Sequence, residues 1–244
     1  CNWSNNNNWV GGAAPVNGDD VVINGSASDP DASDSTIQNI ASLNIASLTL
    51  SGYCNTTTSC TNEGGKYITV QFNQSTTISG NVTYNQPVTA APSGWAKALY
   101  AVFITNSSAK TLTLGANSTF YNVETNDANN ITVALNGNTF TYRFTSDYPR
   151  TTLSLATISG NGTLTVDIPT TVALFMRDIS TYTGTTNLTS LDYATSSGFN
   201  TGAFGSSAIN LSSTARILFE SDTKVTITNV INVPPPNTNG TFPN

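Results

Sequence analysis

Thr157-Ile-Ser-Gly-Asn-Gly-Thr-Leu-Thr-Val166 is the stretch whose reading decides the fold. After Gly160-Asn161-Gly162, polar β-branched and apolar residues alternate with a period of two, the period of a strand whose successive side chains point to opposite faces. Leu164 and Val166 fall on one face, Thr163 and Thr165 on the other. Asn161-Gly162 tolerates positive φ and marks a tight turn. A related unit follows at Ser180-Thr-Tyr-Thr-Gly-Thr-Thr-Asn-Leu-Thr189. Outward from these two, the alternation recurs at residues 21–23, 47–50, 67–72, 111–114, 131–135, 140–144 and 224–228, and Asn-Gly recurs at 17–18, 24–25, 136–137 and 239–240. Helical periodicity is nearly absent. Short strands with closely spaced turns define an all-β chain: a β-helix, a sandwich or a barrel.

The two units resemble the autotransporter-associated repeat, in which a glycine-framed Leu-Thr strand precedes an Asn-Thr-Tyr-Thr-Gly-Gly-Thr-Thr-like strand. Here one of those glycines is missing, and Ser180 stands where Asn is usual. Ser79-Gly-Asn-Val-Thr83 and Leu114-Gly-Ala-Asn-Ser-Thr119 look like degenerate copies of the same turns. Residues 3–23, with Trp3, Trp9, Gly11-Gly12, Pro15 and Gly18-Asp-Asp20 running into an apolar strand, resemble the entry segment of G8-type surface proteins. Both resemblances imply a right-handed parallel β-helix (a solenoid) working outside the cell. A jelly-roll-like β-sandwich is the second expectation. Residues 1–10 read as an N-terminal arm or cap, 11–232 as a single all-β body, and 233–244 as a Pro/Asn-rich arm in which proline donates no ladder hydrogen bond. Trp3 and Trp9 are expected to seal the apolar end of the first rung. The apolar stretch 93–104 reads as a long buried strand or a short capping helix.

Composition narrows the partners. Among 244 residues only 9% are charged, and the net charge is −6, so no basic patch exists to neutralise nucleic-acid phosphates or anionic lipid. No apolar run is long enough to span a bilayer as a helix. There are three cysteines. Cys54 and Cys60 bracket a short polar loop that a disulfide could close, in keeping with an oxidising compartment. Cys1 is then left over, and three readings stand: a lipid anchor, an intermolecular or alternative disulfide, or a buried free thiol.

The chain contains no histidine, which removes Ser-His-Asp and Cys-His nucleophilic systems and most zinc sites. Its carboxylates are mostly isolated among turn residues. The densest group, Asp29, Asp31 and Asp34, is a weak calcium candidate that lacks the distal Glu of an EF-hand loop. No catalytic residue and no cofactor are expected. Asn-X-Ser/Thr acceptors stand at Asn2, Asn24, Asn55, Asn73, Asn81, Asn106, Asn117, Asn130, Asn161, Asn187, Asn210 and Asn239. In an archaeal or eukaryotic extracellular protein, several would carry glycans.

These features lead to a secreted structural protein at the cell surface. It is expected to polymerise with copies of itself, head to tail, into a pilus-like filament or adhesive layer. Residues 224–233 or 1–10 could donate a strand to the next copy. The alternative is a monomeric adhesin or carbohydrate-binding module for surface glycans, with Tyr142, Tyr148 and Tyr182 as an exposed aromatic row. A polysaccharide lyase or hydrolase is a remote third reading.

Overall fold

The computed structural model describes residues 2–24, 36–55, 67–91, 93–106, 108–125, 130–145, 152–168, 173–175, 180–191, 202–212, 215 and 226–235. The alternating segments between residues 21 and 168 all lie in strands, and their parity sets what they bury. Ser47–Ser51 buries Leu48 and Leu50, and Tyr67–Phe72 buries Ile68, Val70 and Phe72, while the residues between face outward.

The strands stack as rungs of a coil with three walls. The longest wall runs Asp20–Asn24, Ser47–Ser51, Val82–Tyr84, Ser118–Tyr121, Thr139–Arg143, the later halves of Thr157–Ile168 and Thr181–Leu191, Ala208–Leu211 and Ile231–Asn232. A second wall runs Asn44–Ile45, Thr76–Ile78, Lys110–Leu114, Ile131–Ala134 and the early halves of the two long strands. Those long strands, Thr157–Ile168 and Thr181–Leu191, turn the corner unbroken and so join both walls into one 13-stranded sheet. The third wall is Thr36–Ile40, Tyr67–Phe72, Tyr100–Thr105 and Val123–Thr125. Thr152–Ser154 and Ala173–Phe175 follow on from it, tied by Ser154 N–H to Glu124 Oε1 at 3.2 Å and Ala156 N–H to Thr125 Oγ1 at 3.3 Å.

Neighbours within each wall pair in parallel. The fold is therefore a parallel β-helix, and the jelly-roll alternative, which needs antiparallel neighbours, is set aside. Tyr53–Asn55 with Trp95–Lys97 makes an antiparallel pair beside the coil. Residues 93–104 accordingly contain two strands, Trp95–Lys97 and Tyr100–Thr105, rather than one strand or a capping helix. The expected strand at 224–228 is also corrected. Residues 226–230 carry no strand, 224–225 lie outside the described residues, and pairing begins only at Ile231.

Rung length varies, and most of the variation has one source. Late in the chain, Asn232 Nδ2–H donates to Asn210 Oδ1 across 22 residues, whereas earlier Thr119 N–H reaches Asn81 Oδ1 across 38. The extra residues enter where the longest wall passes to the third, as between Tyr84 and Tyr100. The corner between the second and longest walls stays short. Backbones approach so closely there that a Cβ on Gly184, at φ +118°, would lie 2.1 Å from the Gly162 carbonyl oxygen. Only glycine fits such a corner.

Inside, an aromatic file crosses the rungs. Phe72 meets Phe103 at 4.9 Å, Phe103 meets Phe120 at 5.8 Å, Phe120 meets Phe140 at 4.9 Å, and Tyr142 and Phe144 extend the line. The first three contacts are edge-on, the arrangement ring quadrupoles favour, worth about 0.5–1.5 kcal/mol each beyond burial.

Candidate functional site

A coil has two ends, and each must close or be covered. At the N-terminal end, Asn5 accepts the Asn7 N–H and starts a single 3-10 turn, Asn6–Asn8. That turn carries Trp9 back over Trp3. The indole rings meet edge-on at 5.0 Å, and Trp9 Nε1–H donates to the Trp3 carbonyl at 2.8 Å. Trp3 is buried within the core. Residues 2–9 thus pack on their own body, while Val10 and Val16 beside them point into solvent.

The C-terminal end is built differently. Ile231–Asn232 pairs with Ala208–Leu211 on one edge, and no described strand pairs with its other edge. Ile231 stands in the inward column below Ile209, yet it is 41% exposed where Ile209 is fully buried. Val230 and Val233 flank it, 64% and 68% exposed. An outward asparagine ladder runs to the same edge. Asn210 Nδ2–H donates to Asn187 Oδ1 at 2.9 Å, and Asn232 Nδ2–H to Asn210 Oδ1 at 2.7 Å. Among the described residues this rung therefore keeps the register of the body, and no further rung covers its apolar or its asparagine column.

The other sequence candidates are placed as follows. Cys54 is fully buried and disulfide-bonded, while Cys1 and Cys60 lie outside the described residues. Asp29, Asp31 and Asp34 also lie outside them. Tyr142 and Tyr182 do not form an exposed row. Both are buried, because each occupies an inward position of its strand. Tyr142 donates to the Ser154 carbonyl at 3.0 Å, and Tyr182 sits in a buried hydroxyl cluster with Thr186 and Ser207. Burial pushes the Tyr182 phenol above its ordinary range, against the opposing effect of those hydroxyl hydrogen bonds. Tyr148 lies outside the described residues.

Carboxylates serve the frame. Glu124, buried, accepts the Ser154 N–H, Asp19 accepts the Val16 N–H at 2.8 Å, and Asp167 pairs with Arg143 at 3.3 Å. Among the described residues no three acidic or cysteine side chains cluster as a metal site.

Seven sequon asparagines are exposed: Asn2, Asn24, Asn81, Asn106, Asn117, Asn130 and Asn161. Three are half-buried, and two of these use their amide nitrogen inside the wall, Asn73 toward Asn39 and Asn210 toward Asn187. The third, Asn187, is the acceptor of that last bond. The side chain of Asn55 and the whole of Asn239 lie outside the described residues.

Fold and ends together define the class: a parallel β-helix that carries a tryptophan cap at one end and, among the described residues, an uncovered rung at the other. No family model matches the chain, and no curated protein or solved structure matches it.

Proposed function

We propose that this protein is an extracellular structural subunit that stacks head to tail with copies of itself into a surface filament or layer. The observation that carries this reading is where apolar side chains meet water. Val10 and Val16 lie at the capped end, and Val230, Ile231 and Val233 lie at the open end. Besides these, exposed large hydrophobics among the described residues are Val22, on the first rung, and Val88, in the long corner insertion. Ends this apolar gain from meeting, at about 1.5–3 kcal/mol for each aliphatic side chain fully buried.

Polarity makes the meeting directional. Because the walls are parallel throughout, the edge of Asp20–Asn24 that no described strand pairs in one copy runs the same way as the corresponding edge of Ile231–Asn232 in another. The two edges can therefore extend one sheet without exchange of either terminal segment, as β-augmentation does. Such a contact joins unlike surfaces and need not close, which is the geometry of a fibre. The Cys54 disulfide and the scarcity of charge fit an oxidising, extracellular setting.

Sedimentation velocity across a concentration series tests the reading. The wild-type protein is expected to form species larger than a monomer. Ile231→Asp combined with Val233→Asp, which places charge on the open end, is expected to return monomers with an unchanged circular dichroism spectrum. A wild-type chain that stays monomeric at every concentration, or a double variant that assembles as well as wild type, contradicts it.

A further inference from the structure

From a cleft on the side of the coil, away from both ends, we infer a binding site for a neutral saccharide. The cleft encloses about 250 Å³ and is lined by Tyr84, Asn85, Gln86, Leu99, Tyr121, Asn122 and Thr145. It arises where the wall changes height. After Val82–Tyr84 the chain makes the long excursion of residues 85–99, but one rung later it turns the same corner at a single residue, Asn122, between Tyr121 and Val123. Asn122 takes the left-handed conformation, φ +54°, which asparagine tolerates. The excursion therefore overhangs a short corner, and the space beneath it is the cleft.

Its chemistry selects the ligand. Among the described residues no charged side chain lines it, so this lining offers no charge to hold a phosphate, a carboxylate or a metal ion. Amides and a hydroxyl interrupt the apolar surface too often for a lipid tail. What it presents is one half-exposed aromatic ring, Tyr121, beside Leu99 and a set of uncharged groups that donate and accept. That combination fits a sugar, whose C–H face stacks on an aromatic ring while its hydroxyls bridge amides.

Part of the wall is already fixed. Asn122 accepts the Thr145 N–H at 3.1 Å and donates to Thr145 Oγ1 at 3.3 Å. The Tyr84 hydroxyl is turned to the carbonyls of Gly52 and Ala98, at 3.2 and 2.8 Å, so Tyr84 shows the cleft only its ring. The exposed amides of Asn85 and Gln86 make no side-chain hydrogen bond to the described protein and remain for the ligand. The volume is below the roughly 300–1,000 Å³ of drug-sized pockets, which sets the ligand at about one sugar ring, or one residue of a longer chain.

The test is an NMR titration with glucose, galactose, mannose and N-acetylglucosamine, each alone, with sialic acid as the charged comparison. At least one neutral sugar is expected to shift the Asn85, Gln86 and Asn122 side-chain amide resonances saturably, with a millimolar Kd. Tyr121→Ala is expected to weaken that binding at least about tenfold, a loss of roughly 1.4 kcal/mol. Tyr121→Phe should keep most of it, and Gln86→Ala, an exposed change that leaves the fold alone, should weaken it. Saturable shifts from none of the four sugars would overturn the assignment. So would binding that Tyr121→Ala and Gln86→Ala both leave untouched, or a preference for sialic acid. The titration is run in the Ile231→Asp, Val233→Asp background, whose changes lie away from the cleft and keep the protein monomeric whether or not the wild type assembles, so the two proposals fail separately.

Discussion

Phe140 shows how single positions hold the coil. It touches Phe120 on one side and Tyr142 on the other, and no part of it reaches solvent. Phe140→Ala opens a cavity in the middle of a closely packed file, so a loss of about 3–5 kcal/mol is expected, read as a lower urea midpoint. The parity that buries Phe140 also buries Tyr142, two residues on, so the burial of Tyr142 was legible in the alternation of residues 140–144. Tyr182 was not legible in that way. The buried residues nearest it on that strand are Ser180 and Thr186, and a polar inward column gives the alternation no contrast to reveal it. The cleft was equally hidden, because Tyr84 and Tyr121 meet only through the offset of successive rungs.

Corners and ladders govern how the rungs stay in register. Asn210 donates to the rung before it and accepts from the rung after it. Asn210→Ala removes both bonds from a half-buried site and is expected to cost about 1–2 kcal/mol, with the earliest loss of amide-exchange protection in Ala208–Leu211. Buried phenols set a limit of another kind. Burial holds both Tyr84 and Tyr182 above their ordinary range. The folded chain thus keeps these protons at pH values where the unfolded chain releases them. Stability is intact below about pH 10 and falls as pH rises beyond it. Urea midpoints measured through that range should drop, and Tyr84→Phe should flatten part of the drop. A midpoint constant through alkaline pH contradicts this.

Strands were the most legible elements, since period-two alternation survives in any register. Rung length was obscured because the insertions at one corner stretch the separation of equivalent residues from 22 to 38. The strand expected at 224–228 was misplaced for a related reason: its alternation is a sound strand pattern, but among the described residues pairing begins where Ile231 meets Ile209.

For the molecule as a whole, the asymmetry between the ends matters most. One end is closed by Trp3 and Trp9, whose two indoles and Gly-Gly neighbour could be read from the sequence as a seal. The other leaves Ile231 partly open in a column that is buried above it. That exposure was not legible in the sequence, because an isoleucine in an alternating segment reads as core wherever it stands. Stacking copies would give the open column its next rung. The nine described rungs on the longest wall, at about 4.8 Å each, set an axial repeat of roughly 43 Å when the two edges pair as successive rungs. Electron microscopy of the purified wild-type protein at neutral pH tests this most directly. The expected result is unbranched filaments with a repeat near that length, absent from the Ile231→Asp, Val233→Asp variant. Discrete single particles from the wild-type protein, or filaments whose repeat bears no relation to the stacked coil, would contradict it.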